Sequence, residues 1–100
     1  MSIQSYEMHR RQNLRTSILQ VLNVARPYAT SEKLILQTLG DVQEDAGPAE
    51  LRRELDYLED KAILRVRDRR APVWMIELTA YGVDIVEGAV DLPPGLDPFH

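Results

Sequence analysis

The sequence predicts a mainly α fold carrying one small antiparallel β-hairpin, in the order helix, helix, helix, strand, strand, helix. Three observations lead there. Leu51, Leu55, Leu58 and Ala62 recur at intervals of four, three and four, a single apolar stripe on a helix. The period then falls to two: Leu64 and Val66 alternate with Arg65 and Arg67, and after DRRAP the residues Trp74, Ile76 and Leu78 alternate with Val73, Met75 and Glu77. Two further apolar sets at helical spacing lie upstream, ending near Pro27 and Gly40.

Residues 1–8, MSIQSYEM, have no clear period and read as an arm or an early helical turn. From about His9 to Ala25 the set Leu14, Ile18, Val21, Leu22 and Ala25 makes a first helix, whose start is basic through His9, Arg10, Arg11 and Arg15. Basic groups there oppose the helix dipole, so they are either a solvated end or an arm that contacts phosphate. Pro27 ends this helix, and a very short strand is expected near residues 26–30. Thr30 or Ser31 then caps a second helix built on Leu34, Ile35 and Leu39 and stopped by Gly40.

The connector DVQEDAG is acidic and longer than a tight helix-turn-helix turn. Pro48 suits the first position of the third helix and Glu50 its positive end. Opposite the apolar stripe this helix presents Ala49, Arg53, Asp56, Tyr57 and Asp60. Thr79 caps a last helix in TAYGVDIVEGAV, with Val83, Val86 and Val90, and with them Tyr81 and Ile85, expected inward. Gly82 is expected at a close helix contact. Trp74 is expected as an anchor at the base of the hairpin. Residues 1–90 thus form a single domain with an N-terminal arm, and 91–100 an extended, proline-rich tail.

An amphipathic helix running into a hairpin with an arginine-rich turn is the core of a winged helix. The run ELRRELDYLEDKAILRV, the hairpin, and the strand ending in LTAYG resemble the winged helix-turn-helix superfamily of small regulators. Leu55, Leu58, Ile63 and Leu64 match its "LxxLxxxGLI" helix end; Trp74, Leu78, Thr79 and Gly82 match the "W/Y-x-LT-x-x-G" that closes the wing. Ala62 stands where the family often has a glycine. The likeness covers roughly residues 9–90, and the segment VEGAVDLPPGLDP is similar to the tails of small winged-helix proteins in Mu-like phage genomes.

The resemblance implies double-stranded DNA as partner and a homodimer reading palindromic half-sites. Arg52 and Arg53 would enter the major groove, with Arg53 able to grip guanine, and Tyr57 would reach phosphate. Arg65, Arg67, Arg69 and Arg70, net +3 over six residues with Asp68, would form a wing that meets phosphate or a narrow minor groove. Arg10, Arg11 and Arg15 would be the arm. Against this stands net charge −4, and net −6 between Asp41 and Asp60, where eight acids face Arg52 and Arg53 alone. The competing expectation is therefore a protein-interaction or assembly module of the same fold, with the acidic third helix meeting a basic partner.

Other classes are read out by absence in the sequence. With zero cysteines there is no disulfide framework, thiolate site or catalytic thiol. The two histidines lie near the two ends, and no HxxxH, HExxH, GxxxxGK, GxGxxG or serine-elbow pattern occurs. No enzyme, cofactor or metal is expected. No apolar run of about 18 residues and no signal-peptide core appear, which leads to a cytoplasmic expectation with no membrane partner.

Overall fold

The computed structural model describes residues 2–42 and 45–99. Glu44, counted above among the connector's acids, and His100 lie outside the described residues. Helix α1 spans Ile3–Ala25. It starts well before His9, because Ser2 caps it by accepting the Ser5 N–H at 3.0 Å. Of the arm and the early helical turn expected there, the helical turn is what forms, from Ile3 onward. Leu14, Ile18, Leu19 and Leu22 form its buried face.

Strand β1, Thr30–Ser31, follows the Pro27 turn, and Ser31 doubles as the cap of helix α2, Glu32–Asp41. Helix α3 is Pro48–Asp60, with Gly47 as N-cap and Pro48 in the first turn. Strand β2, Leu64–Val66, and strand β3, Met75–Leu78, make the hairpin. Both flanking strands pair antiparallel with β3, so the sheet order is β1-β3-β2. The register sets Arg65 opposite Glu77, and Leu64 and Val66 opposite Leu78 and Ile76. The alternation read from the sequence holds: Leu64, Val66, Trp74 and Ile76 are buried, and Arg65 and Arg67 are exposed.

Between α3 and β2 the chain reverses at Ala62 with φ 61°, the left-handed conformation that glycine adopts without strain. Helix α4, Ala80–Val86, is shorter than expected. Thr79 caps it from the Gly82 N–H at 3.0 Å. Its inward residues are Gly82 and Ile85, with Val83 and Val86 half-buried; Tyr81 and Val90 point outward, contrary to expectation. The helix ends at Glu87, before Val90 could join its stripe. Gly82 lies against the turn as expected, since a Cβ there would come within 2.0 Å of the Ile63 carbonyl oxygen.

One core joins all four helices and the sheet through Ile18, Ile35, Leu39, Leu55, Leu58 and Ile76, each with no exposed surface, and Ile85 of α4. The proline-rich tail is irregular but laid on α1. Leu96 enters the core, and Thr16 Oγ1 both donates to the Asp97 carbonyl (2.8 Å) and accepts its N–H (2.9 Å).

Candidate functional site

The charged side chains singled out in the sequence converge on α3. On the side facing α1, Arg10 donates to Glu50 in a two-pronged pair, its Nη2 reaching Oε1 at 2.9 Å. One turn on, Arg11 (3.1 Å) and Arg15 (2.6 Å) share the two oxygens of Glu54, which has no exposed surface. Arg15 is itself buried: its guanidinium stacks 3.6 Å above the Tyr57 ring and donates to the Gly95 carbonyl of the tail at 3.1 Å. Arg15 and Tyr57, expected to face phosphate, therefore form part of the α1–α3–tail seam. Glu54 drives this, because a buried carboxylate needs charged donors on its oxygens.

The hairpin folds back on the same helix. Arg52 grips Glu32, at the start of α2, with Nε and Nη2 at 2.8 and 2.7 Å. Glu32 also accepts the Trp74 N–H at 2.6 Å. Two guanidinium groups lie over the Trp74 ring, that of Arg52 4.1 Å and that of Arg69 4.8 Å from its centre. Its Nε1 donates to the Arg69 carbonyl at 3.1 Å, which ties the start of the turn to the sheet. Arg69 Nη2 reaches Glu59 at 2.6 Å and Asp56 Oδ1 at 2.7 Å. The Asp56 contact is off the hydrogen-bonding direction and is a charge contact only. Glu59 also accepts the Val66 N–H at 2.7 Å. On the outward face of the hairpin, Glu77 pairs with both Arg65 and Arg67.

The carboxylates respond accordingly. Arg67 and Arg65 hold Glu77 down to about 2 from an ordinary 4.5. Arg52 lowers Glu32, and Arg10 lowers Glu50, each against an opposing cost of burial. For Glu59 burial pushes upward, yet the Val66 N–H and Arg69 outweigh it and the net direction is down. The guanidinium groups of Arg10, Arg52, Arg67 and Arg69 are raised in turn by the carboxylates they bind.

Of the nine arginines expected to meet DNA, seven thus sit in ion pairs with this chain's own carboxylates: Arg10, Arg11, Arg15, Arg52, Arg65, Arg67 and Arg69. Among the described residues, Arg53 on the outward face of α3 and Arg70 in the hairpin turn are exposed and in no ion pair. The outward face of α3 is short, with Ala49, Arg53 and Asp60 exposed and Asp56 half-buried. The acidic character read along this helix is also spent internally, since Glu50, Glu54, Asp56 and Glu59 all hold arginines.

Sequence reasoning missed Glu32, Glu54 and Glu77 as organising groups. A signal for Glu54 existed: it lies three after Leu51 and four before Leu58, inside the apolar stripe. No group of three or more His, Asp or Glu side chains among the described residues could hold a metal ion. Among the described residues, no helix is long and apolar enough to cross a membrane. Comparison with family models, curated proteins and solved structures returns no match.

Proposed function

We propose that this chain is a winged-helix protein-interaction module, used for assembly and not for reading DNA. The winged-helix reading is supported by the order of elements, with β1 closing the sheet beside the hairpin and α3 packed against it. The functional reading rests on one observation: the arm arginines, and Arg65, Arg67 and Arg69 of the hairpin, are already paired with carboxylates of the same chain before any partner arrives. A phosphate backbone would have to displace these carboxylates, several of them held from two sides, and would meet Asp60 on the same outward face as Arg53. A chain of net charge −4 gives no long-range attraction to offset that.

A second reading keeps DNA as the partner. Arg53 and Arg70 favour it, since both are exposed, free of ion pairs, and placed on the outward helix face and the hairpin turn where such contacts belong.

A labelled random duplex at about 50 mM salt, where phosphate attraction is strong, separates the two. The interaction module shows no binding there, and Arg53→Ala/Arg70→Ala changes nothing. Micromolar binding that the double substitution weakens would establish the DNA reading instead.

A further inference from the structure

Helices α1 and α2 leave a groove of about 400 Å³ between them, away from the ion pairs around α3. Its walls are apolar: Val21 and Val24 on one side, Leu34 and Val42 on the other. Val24 is 86% exposed, Val42 61% and Leu34 52%, which makes a contiguous open patch and not scattered single residues. At its floor the Thr30 hydroxyl is buried and has no hydrogen-bond partner among the described residues.

The exposed side of α2 adds two features. Lys33 and Asp41 stand at its two ends, roughly 12 Å apart along the axis, and neither is in an ion pair among the described residues. Gly40 lies in the last turn of the helix. Its backbone is not left-handed, and a Cβ there would meet nothing within 4 Å. Neither conformation nor packing within the chain asks for a glycine there, whereas a helix approaching from outside would have room.

We infer that this face of α2, with the groove beside it, binds a second copy of the same chain, α2 packing antiparallel on the partner's α2. Opposite charges placed symmetrically about Gln37 suit a two-fold interface, because Lys33 then meets the partner's Asp41 and Asp41 meets the partner's Lys33. Leu34, Thr38 and Val42 follow at i, i+4 and i+8 and supply the seam, with Val24 of α1 extending it. An unrelated helix would need no such symmetry. This identifies the partner in the assembly reading above and rests on that reading.

The test is sedimentation equilibrium from about 1 to about 200 µM, a span that reveals micromolar association. The native chain is expected to be a dimer. Lys33→Asp and Asp41→Lys, each placing like charges opposite one another, should each weaken it about tenfold, and the double exchange should restore it. Leu34→Asp should leave a monomer. All these positions are exposed, and an unchanged helical circular dichroism spectrum shows that the fold survives. A native chain that stays monomeric, or a dimer indifferent to the charge exchanges, overturns the inference. The failure of the assembly reading itself is seen separately, as duplex binding by the native chain.

Discussion

Glu54 of α3, with no exposed surface, holds the Nε of Arg15 in α1 at 2.6 Å. This pair sits under the tail and beside Tyr57, and it fixes how the first helix meets the third. Removing one member leaves the other charged and buried. Glu54→Gln is expected to cost about 3 kcal/mol, read as a shift of the urea midpoint at unchanged slope. Arg15→Met/Glu54→Leu, which removes both charges, should recover most of that loss. A double-variant loss equal to the sum of the losses in Arg15→Met and Glu54→Leu alone would show that the pair is not coupled.

Ala62 occupies a left-handed position, at φ 61°. Ala62→Gly relieves that strain and should stabilise the protein by about 0.5–1 kcal/mol, after the greater freedom of glycine in the unfolded chain is subtracted. Thermal unfolding should move up by a few degrees for a domain of this size. A lower midpoint would mean that the surrounding turn already accommodates alanine without cost.

Gly82 is the opposite case. Its missing side chain admits the Ile63 carbonyl, which a Cβ would approach to 2.0 Å. Gly82→Ala must push α4 off the turn, at a cost of about 2–3 kcal/mol in a denaturant titration.

The tail belongs to the core through Leu96, which is 7% exposed. Leu96→Ala should destabilise the domain by about 2–3 kcal/mol, as for other buried leucines. It should also speed hydrogen exchange at the Asp97 amide, which Thr16 now holds. A stability unchanged by this substitution would place the tail outside the cooperative unit.

Stability should fall on the acid side. Glu32, Glu50, Glu59 and Glu77 are all lower in the folded protein than their ordinary 4.5. A depressed carboxylate favours the folded state above its unfolded value, and that contribution is lost as pH falls through the folded value. The melting temperature should therefore hold steady from neutral pH down to about 5 and then decline, the last of the Glu77 contribution vanishing near 2. Glu77→Gln should flatten the lowest part of the decline. A fall already under way between neutral pH and 5 would point to other groups.

Much of the fold could be read from the chain because its signals are local. The 4-3-4 spacing of Leu51, Leu55, Leu58 and Ala62 and the two-residue alternation after Leu64 each report one buried face. Thr79 and Pro48 mark helix starts by their own chemistry. The charges were harder because ion pairs between distant segments leave no spacing to detect. Arg10 finds Glu50 forty residues away, and Arg52 finds Glu32 twenty residues away. Arg65 and Glu77 could be matched only once the hairpin register was known. The acidic third helix and the basic hairpin therefore read as two surfaces, although Arg69 joins them to one another. The start of α1 reads in the sequence as either an arm or a helical turn for a different reason: Ile3, Tyr6 and Met8 are exposed, so no stripe marks them and the Ser2 cap is the local cue.

On the assembly reading, internal carboxylates mask the arginines. Fluorescence anisotropy of a labelled duplex at about 50 mM salt tests it most directly, comparing the native chain with Glu50→Gln/Glu77→Gln, which frees Arg10, Arg65 and Arg67. Masking predicts no binding by the native chain and a salt-sensitive gain in the unmasked variant. Micromolar binding by the native chain, with the same salt dependence in the variant, would contradict it.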